Sequence, residues 1–177
     1  MSSKNQVVQF PGARARSFCC GAALLLATGC GDITPREGAW IHEAGAITDD
    51  TCNLGADTPT DPYGEFTIGE LNGDSFRITP GSADSFSCTL LGGGDFECPD
   101  RVADGIPIDN FDATINVNVR VDGTFSSETE ASGTQTFSAS CEGADCSNPL
   151  FVQGIKLFYP NTTLPCGYTI GFTADAK

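Results

Sequence analysis

Ala113-Thr114-Ile115-Asn116-Val117-Asn118-Val119-Arg120-Val121 alternates apolar and polar side chains without interruption. Successive side chains of an extended strand point to opposite faces, so this stretch has one dry side and one wet side. Strands of that kind belong to antiparallel sheets that bury one face and hydrate the other.

The same period of two recurs along the chain. On the N-terminal side, Trp40, His42, Ala44 and Ala46 share a face in residues 38–47, with Ile41 and Glu43 opposite. Phe66 and Ile68 alternate with Thr67 and Gly69, and Phe76 and Ile78 with Ser75, Arg77 and Thr79. Keeping both apolar faces together across Leu71-Asn72-Gly73 requires a three-residue loop with Gly73 left-handed, which pairs Phe66 with Ile78 and Ile68 with Phe76. Phe86, Cys88 and Leu90 face Phe96 and Cys98 across Gly92-Gly93-Gly94, placing Cys88 opposite Cys98 and Leu90 opposite Phe96. Residues 99–110 read as a loop and Asp122-Gly123 as a turn. Phe125, Phe137, Ala139 and Cys141 then form one bent strand or two shorter ones broken near Ser132-Gly133. Residues 142–166 read as a long loop, with a short strand allowed at 154–159, before Tyr168, Ile170, Phe172, Ala174 and Ala176 close on a last alternating strand.

No helical period emerges. The expected fold is all-β, an antiparallel up-and-down meander of about eight strands closed into a barrel, because closure removes exposed strand edges. A β-sandwich is the alternative arrangement.

Ahead of this domain, Lys4, Arg14 and Arg16 precede a short apolar run, Phe18 to Leu26, and the small residues Ala27-Thr28-Gly29 before Cys30. A basic leader, a short hydrophobic segment and a small-residue cleavage site make a secretory signal, too short for the roughly 20 residues of a membrane-spanning helix. The stretch resembles the lipobox of bacterial lipoproteins, with Ala27 where that family most often has Leu. The resemblance implies cleavage before Cys30, diacylglycerol on its thiol and a fatty acyl group such as palmitate on its new amino group. Residues 1–29 are then the signal peptide, 30–37 the lipidated N-terminus and a short tether, and 38–177 a single β domain. Gly31 stands where that family places an aspartate for inner-membrane retention, so the outer membrane is the expected destination, on its periplasmic or surface face.

The leader holds three of the nine basic residues and none of the 23 acidic ones, leaving six against 23. Such a field repels nucleic acid, and no nucleic-acid partner is expected. Cys52, Cys88, Cys98, Cys141, Cys146 and Cys166 remain for disulfides in an exported chain, and one histidine with no paired CxxC spacing excludes a zinc site. Beyond Cys88 with Cys98, three pairings of the other four are possible, with Cys141–Cys146 and Cys52–Cys166 preferred.

In a meander the short glycine turns share the lipidated end, and the long loops at 48–63, 80–83, 99–111 and 142–166 share the far end. Loops on a rigid scaffold usually carry binding. Gly38-Ala39-Trp40 resembles the G-x-W of lipocalins, whose Trp plugs the barrel floor; the family's other signatures have no match here, so its ligand binding is not carried over. His42 has no second histidine and no free thiol to serve, and no carboxylate pair is placed for hydrolysis, so no enzyme and no cofactor are expected. Asp57, Asp61 and Glu65 are weak calcium candidates that lack the D-x-D-x-D-G spacing. The expected role is non-enzymatic: binding of a protein or small molecule by the distal loops or barrel interior, or else a purely structural envelope protein with no ligand site.

Overall fold

The computed structural model describes residues 32–54, 63–81 and 84–177. Eight strands follow one another: β1 (Gly38–Thr48), β2 (Tyr63–Asn72), β3 (Ser75–Pro80), β4 (Phe86–Gly92), β5 (Asp95–Pro107), β6 (Thr114–Phe125), β7 (Glu130–Glu142) and β8 (Cys166–Ala176). Each pairs antiparallel with the next, and β1 pairs with β8 through Trp40↔Ala176, His42↔Ala174 and Ala44↔Phe172. The sheet is therefore a closed up-and-down barrel and not a sandwich.

Along β6, Val119, Val121 and Phe125 point inward, while Asn116, Asn118 and Arg120 face out opposite Ser140, Ser138 and Thr136 of β7. An apolar lumen with a polar outer wall is the inverse of a barrel that spans a bilayer. One end of the lumen is filled. Trp40 is fully buried there, edge-on to Phe125 at 5.9 Å, and Phe76 lies edge-on to both Phe96 and Phe125 at 5.6 Å. Each such aromatic pair contributes about 0.5–1.5 kcal/mol beyond its burial.

Residues 32–37, expected as a tether, instead fold under this end and seal it. Pro35 is fully buried and Ile33 packs on the core, while the Arg36 N–H donates to the Glu128 carbonyl at 2.8 Å. The Asp32 carboxylate accepts from the Gly93 N–H and that of Glu37 from the Leu71 N–H, both at 3.3 Å. The segment stays because it satisfies turn donors that the barrel rim leaves open.

Bulges account for most departures from the sequence pattern. The turn between β2 and β3 is two residues, Gly73-Asp74, closed by Asn72↔Ser75. Such a turn alone would put the two apolar faces on opposite sides. A bulge between Gly69 and Asn72, with Glu70 at φ 52°, restores the parity, so Ile68 pairs with Ile78 and not with Phe76. The β4–β5 hairpin repeats the device: Gly92↔Asp95 closes the turn, a bulge follows, and Leu90 meets Phe96 as expected. In β1 a bulge between Ala44 and Ile47 leaves Ala46 exposed and half-buries Ile47.

Three segments differ in kind. Residues 99–107 are strand, not loop, because bulges between Cys98 and Arg101 and between Val102 and Asp104 let β5 continue past Pro99, where no ladder bond is needed. Asp122-Gly123 is not a turn. β6 runs straight through it to Phe125, with Gly123 opposite Gly133, and the chain reverses at residues 126–129 into an unbroken β7. Both glycines serve packing: a Cβ on Gly123 would lie 2.6 Å from the Phe96 ring, and one on Gly133 2.9 Å from that of Phe172. Finally, residues 142–166 hold a 3-10 turn at Ala144–Ser147 and a helix, α1 (Pro149–Phe158), where a loop or strand was expected. Asn148 caps α1 by accepting the Leu150 N–H at 3.0 Å, and Pro149 occupies its first turn.

Three disulfides brace the barrel. Cys88–Cys98 crosses β4 and β5 inside the core, while Cys52–Cys166 and Cys141–Cys146 lie at the loop end.

Candidate functional site

Above the packed floor the lumen holds a cavity of about 140 Å³. Ile68, Phe96, Val121 and Phe125 form its floor, and Phe66, Ile78, Phe86 and Phe172, each only partly buried, form its walls. An apolar cavity of about 150 Å³ stays dry and takes up benzene, whereas drug-sized ligands need about 300 Å³ or more. This space therefore suits one ring.

Three polar side chains interrupt the apolar wall: His42 from β1, Gln135 from β7 and Arg101 from β5. Glu65 of β2 also borders the cavity, but it is exposed and paired with Lys177. His42 stands opposite Gly64, which has no side chain to obstruct the imidazole; a Cβ there would fall 2.0 Å from the ring. Its Nδ1 lies 3.1 Å from the Gly64 carbonyl, which can only accept, so Nδ1 carries the proton. Held by this backbone carbonyl, the imidazole forms part of the cavity wall.

Arg101 reaches the lumen because of the bulge after Cys98. Strict alternation from Phe96 and Cys98 would turn Asp100 inward; the bulge pairs Cys98 with Val121 and Arg101 with Val119, both inward positions. The guanidinium carbon stacks 3.4 Å over the Phe86 ring. Burial pulls its pKa below the ordinary arginine value. Nη1 is buried without a hydrogen-bond partner among the described residues. Three other cations meet carboxylates: Arg120 bonds Asp122 at 2.9 Å and Glu97 at 3.1 Å, Arg77 pairs with Glu70 at 3.1 Å, and Lys177 with Glu65. Arg101 was hidden in sequence by the loop reading of residues 99–110; Pro99 inside a strand run was the available sign of a bulge.

The loop end is tied together around the disulfides. The Thr162 hydroxyl donates to the Cys52 carbonyl, Asn53 Nδ2 donates to the Asn161 carbonyl at 3.1 Å, and the Gly167 N–H donates to Thr51 Oγ1 at 2.8 Å. The Asp112 N–H donates to Asp145 Oδ2 at 2.8 Å, and the Asp145 N–H to the Asp112 carbonyl at 2.9 Å, docking the 3-10 turn onto the β5–β6 connection. Phe151 alone of α1 is buried, against Phe111 at 5.7 Å.

Of the calcium candidates, Asp57 and Asp61 lie outside the described residues, as does Cys30. Glu65 is taken by Lys177, and among the described residues no three ligating side chains converge on a metal site. No family model matches the chain, and no curated protein or solved structure matches it.

Proposed function

We propose that this is a lipid-anchored envelope protein that binds a small apolar molecule inside its barrel and performs no chemistry on it. The observation that carries the reading is the division of the lumen, aromatic packing at one end and a ring-sized apolar cavity above it. A purely structural barrel gains stability by filling such a space, since each unfilled volume forfeits contacts. Orientation supports the same reading. The chain leaves the sealed end at Asp32, two residues after Cys30, so a lipid on Cys30 would hold the sealed end against the membrane and turn the loops away from it. The absence of an acidic residue at position 31 favours the outer membrane.

Two measurements test this. Metabolic labelling with radioactive palmitate should label the protein and fail to label Cys30→Ser; retained label would remove the anchor from the reading. In methyl NMR of the full chain in detergent, toluene should shift the Ile68 and Ile78 resonances, and Ile78→Trp, which fills the cavity, should abolish the shift. Unchanged methyls at saturating toluene would leave the structural role in its place.

A further inference from the structure

Resting on that binding function, we infer that the ligand is a small monocarboxylic acid whose apolar body is about the size of one ring, held with its carboxylate on Arg101. The cavity gives the body and Arg101 gives the head. The floor and most of the wall are aliphatic or aromatic, and a single guanidinium stands among them with its Nη1 buried and unpartnered among the described residues. In a domain with six basic residues against 23 acidic ones, a lumen-facing guanidinium that meets no carboxylate among the described residues is conspicuous.

The physical chemistry selects a carboxylate. An unpaired buried donor carries its full desolvation cost, and a neutral hydrocarbon in the cavity would leave that cost in place. A carboxylate fits the planar guanidinium edge with two parallel N–H···O bonds, and charge-assisted bonds of this kind are about twice as strong as neutral ones. A phosphate dianion would bring a second negative charge that no second arginine or lysine in the lining meets, against the field of an acidic protein. The stack on Phe86 holds the guanidinium in place before any ligand arrives, so little ordering is needed on binding. His42 and Gln135 line the same wall and offer further polar contacts to the head group.

The test compares benzoate, benzyl alcohol and toluene on the full chain in detergent, with affinities read from titration of the Ile68 and Ile78 methyl resonances. Benzoate should bind at least about tenfold more tightly than benzyl alcohol, the margin expected when a charge-assisted pair replaces a neutral contact. Arg101→Met should erase that margin. Arg101→Lys keeps the charge and should retain part of the preference, which guards against a Met variant that fails to fold. Equal affinity for benzoate and benzyl alcohol in the wild-type chain would overturn the carboxylate assignment and leave the apolar cavity standing. Failure of all three probes, toluene included, would overturn both readings.

Discussion

The indole N–H of Trp40 donates to the Arg36 carbonyl oxygen at 2.9 Å, tying the barrel floor to the segment folded beneath it. Trp40→Phe should lower stability by about 1–3 kcal/mol, since it removes volume from a close-packed site and strands a carbonyl. Trp40→Ala should cost about 3–5 kcal/mol. Trp40 is the chain's single tryptophan, so urea unfolding followed by far-UV circular dichroism is the suitable measurement. A Phe variant as stable as wild type would show that the plug does not depend on this bond.

The two loop-end disulfides close loops of very different size, with sequence separations of 114 for Cys52–Cys166 and 5 for Cys141–Cys146. In the chain-entropy account the first contributes about 4–5 kcal/mol and the second about 2 kcal/mol. The double variant Cys52→Ser with Cys166→Ser should therefore unfold at clearly lower denaturant than Cys141→Ser with Cys146→Ser. The reverse order would mean that native packing around Cys141 outweighs chain entropy.

Gly123→Ala should destabilise by about 1–3 kcal/mol or more, as overpacked cores do. Its Cβ would stand 2.6 Å from the Phe96 ring and 2.7 Å from the Ser132 carbonyl oxygen, and the second of these is backbone that cannot swing away. At Gly69 an added methyl would meet nothing within 4 Å, so Gly69→Ala should stay within about 0.5 kcal/mol of wild type. Thermal melts of the two variants side by side check the contrast, and equal losses would mean that the barrel wall relaxes around the new methyl.

Burial, reinforced by the Asp50 carboxylate, raises the Tyr168 pKa above the ordinary tyrosine value. The native protein therefore holds the phenolic proton more tightly than the unfolded chain does. This stabilisation is complete below the unfolded pKa of about 10 and is lost as pH rises through the folded value. Wild type should lose stability with rising pH above about 10 more steeply than Tyr168→Phe, a variant that keeps the ring stacked on Phe137 at 4.9 Å. Parallel curves for the two proteins would refute the assignment.

Asn148→Ala should cost about 0.5–2 kcal/mol by removing the cap of α1, with hydrogen exchange accelerating first at the Leu150 amide. Exchange that stays slow there would place the helix start elsewhere.

Much of the barrel was written in the two-residue period, since a strand with one dry face leaves an alternating record whatever its neighbours. The polar outer wall of β6 and the opposition of Leu90 to Phe96 were legible that way. So was the inward side of β1 that carries Trp40. What alternation does not record is a bulge, which adds one residue and reverses the faces beyond it without changing composition. Ile68 therefore meets Ile78, β5 runs on past Pro99, and Arg101 turns into the lumen. The helix escaped for another reason: α1 is a single short element of ten residues that buries only Phe151 and leaves Leu150, Leu157 and Phe158 exposed, although Asn148-Pro149 marked its start.

By itself the sequence determined the all-β class, the two faces of most strands and the six cysteines of residues 38–177 available for bonding, because these follow from local side-chain direction and from count. Only the tertiary structure decided that the sheet closes, where its bulges fall, and that the Arg101 guanidinium faces an apolar cavity. Those depend on contacts between residues far apart in the chain: Trp40 meeting Ala176 across the seam, and Arg101 meeting Phe86 across the lumen wall.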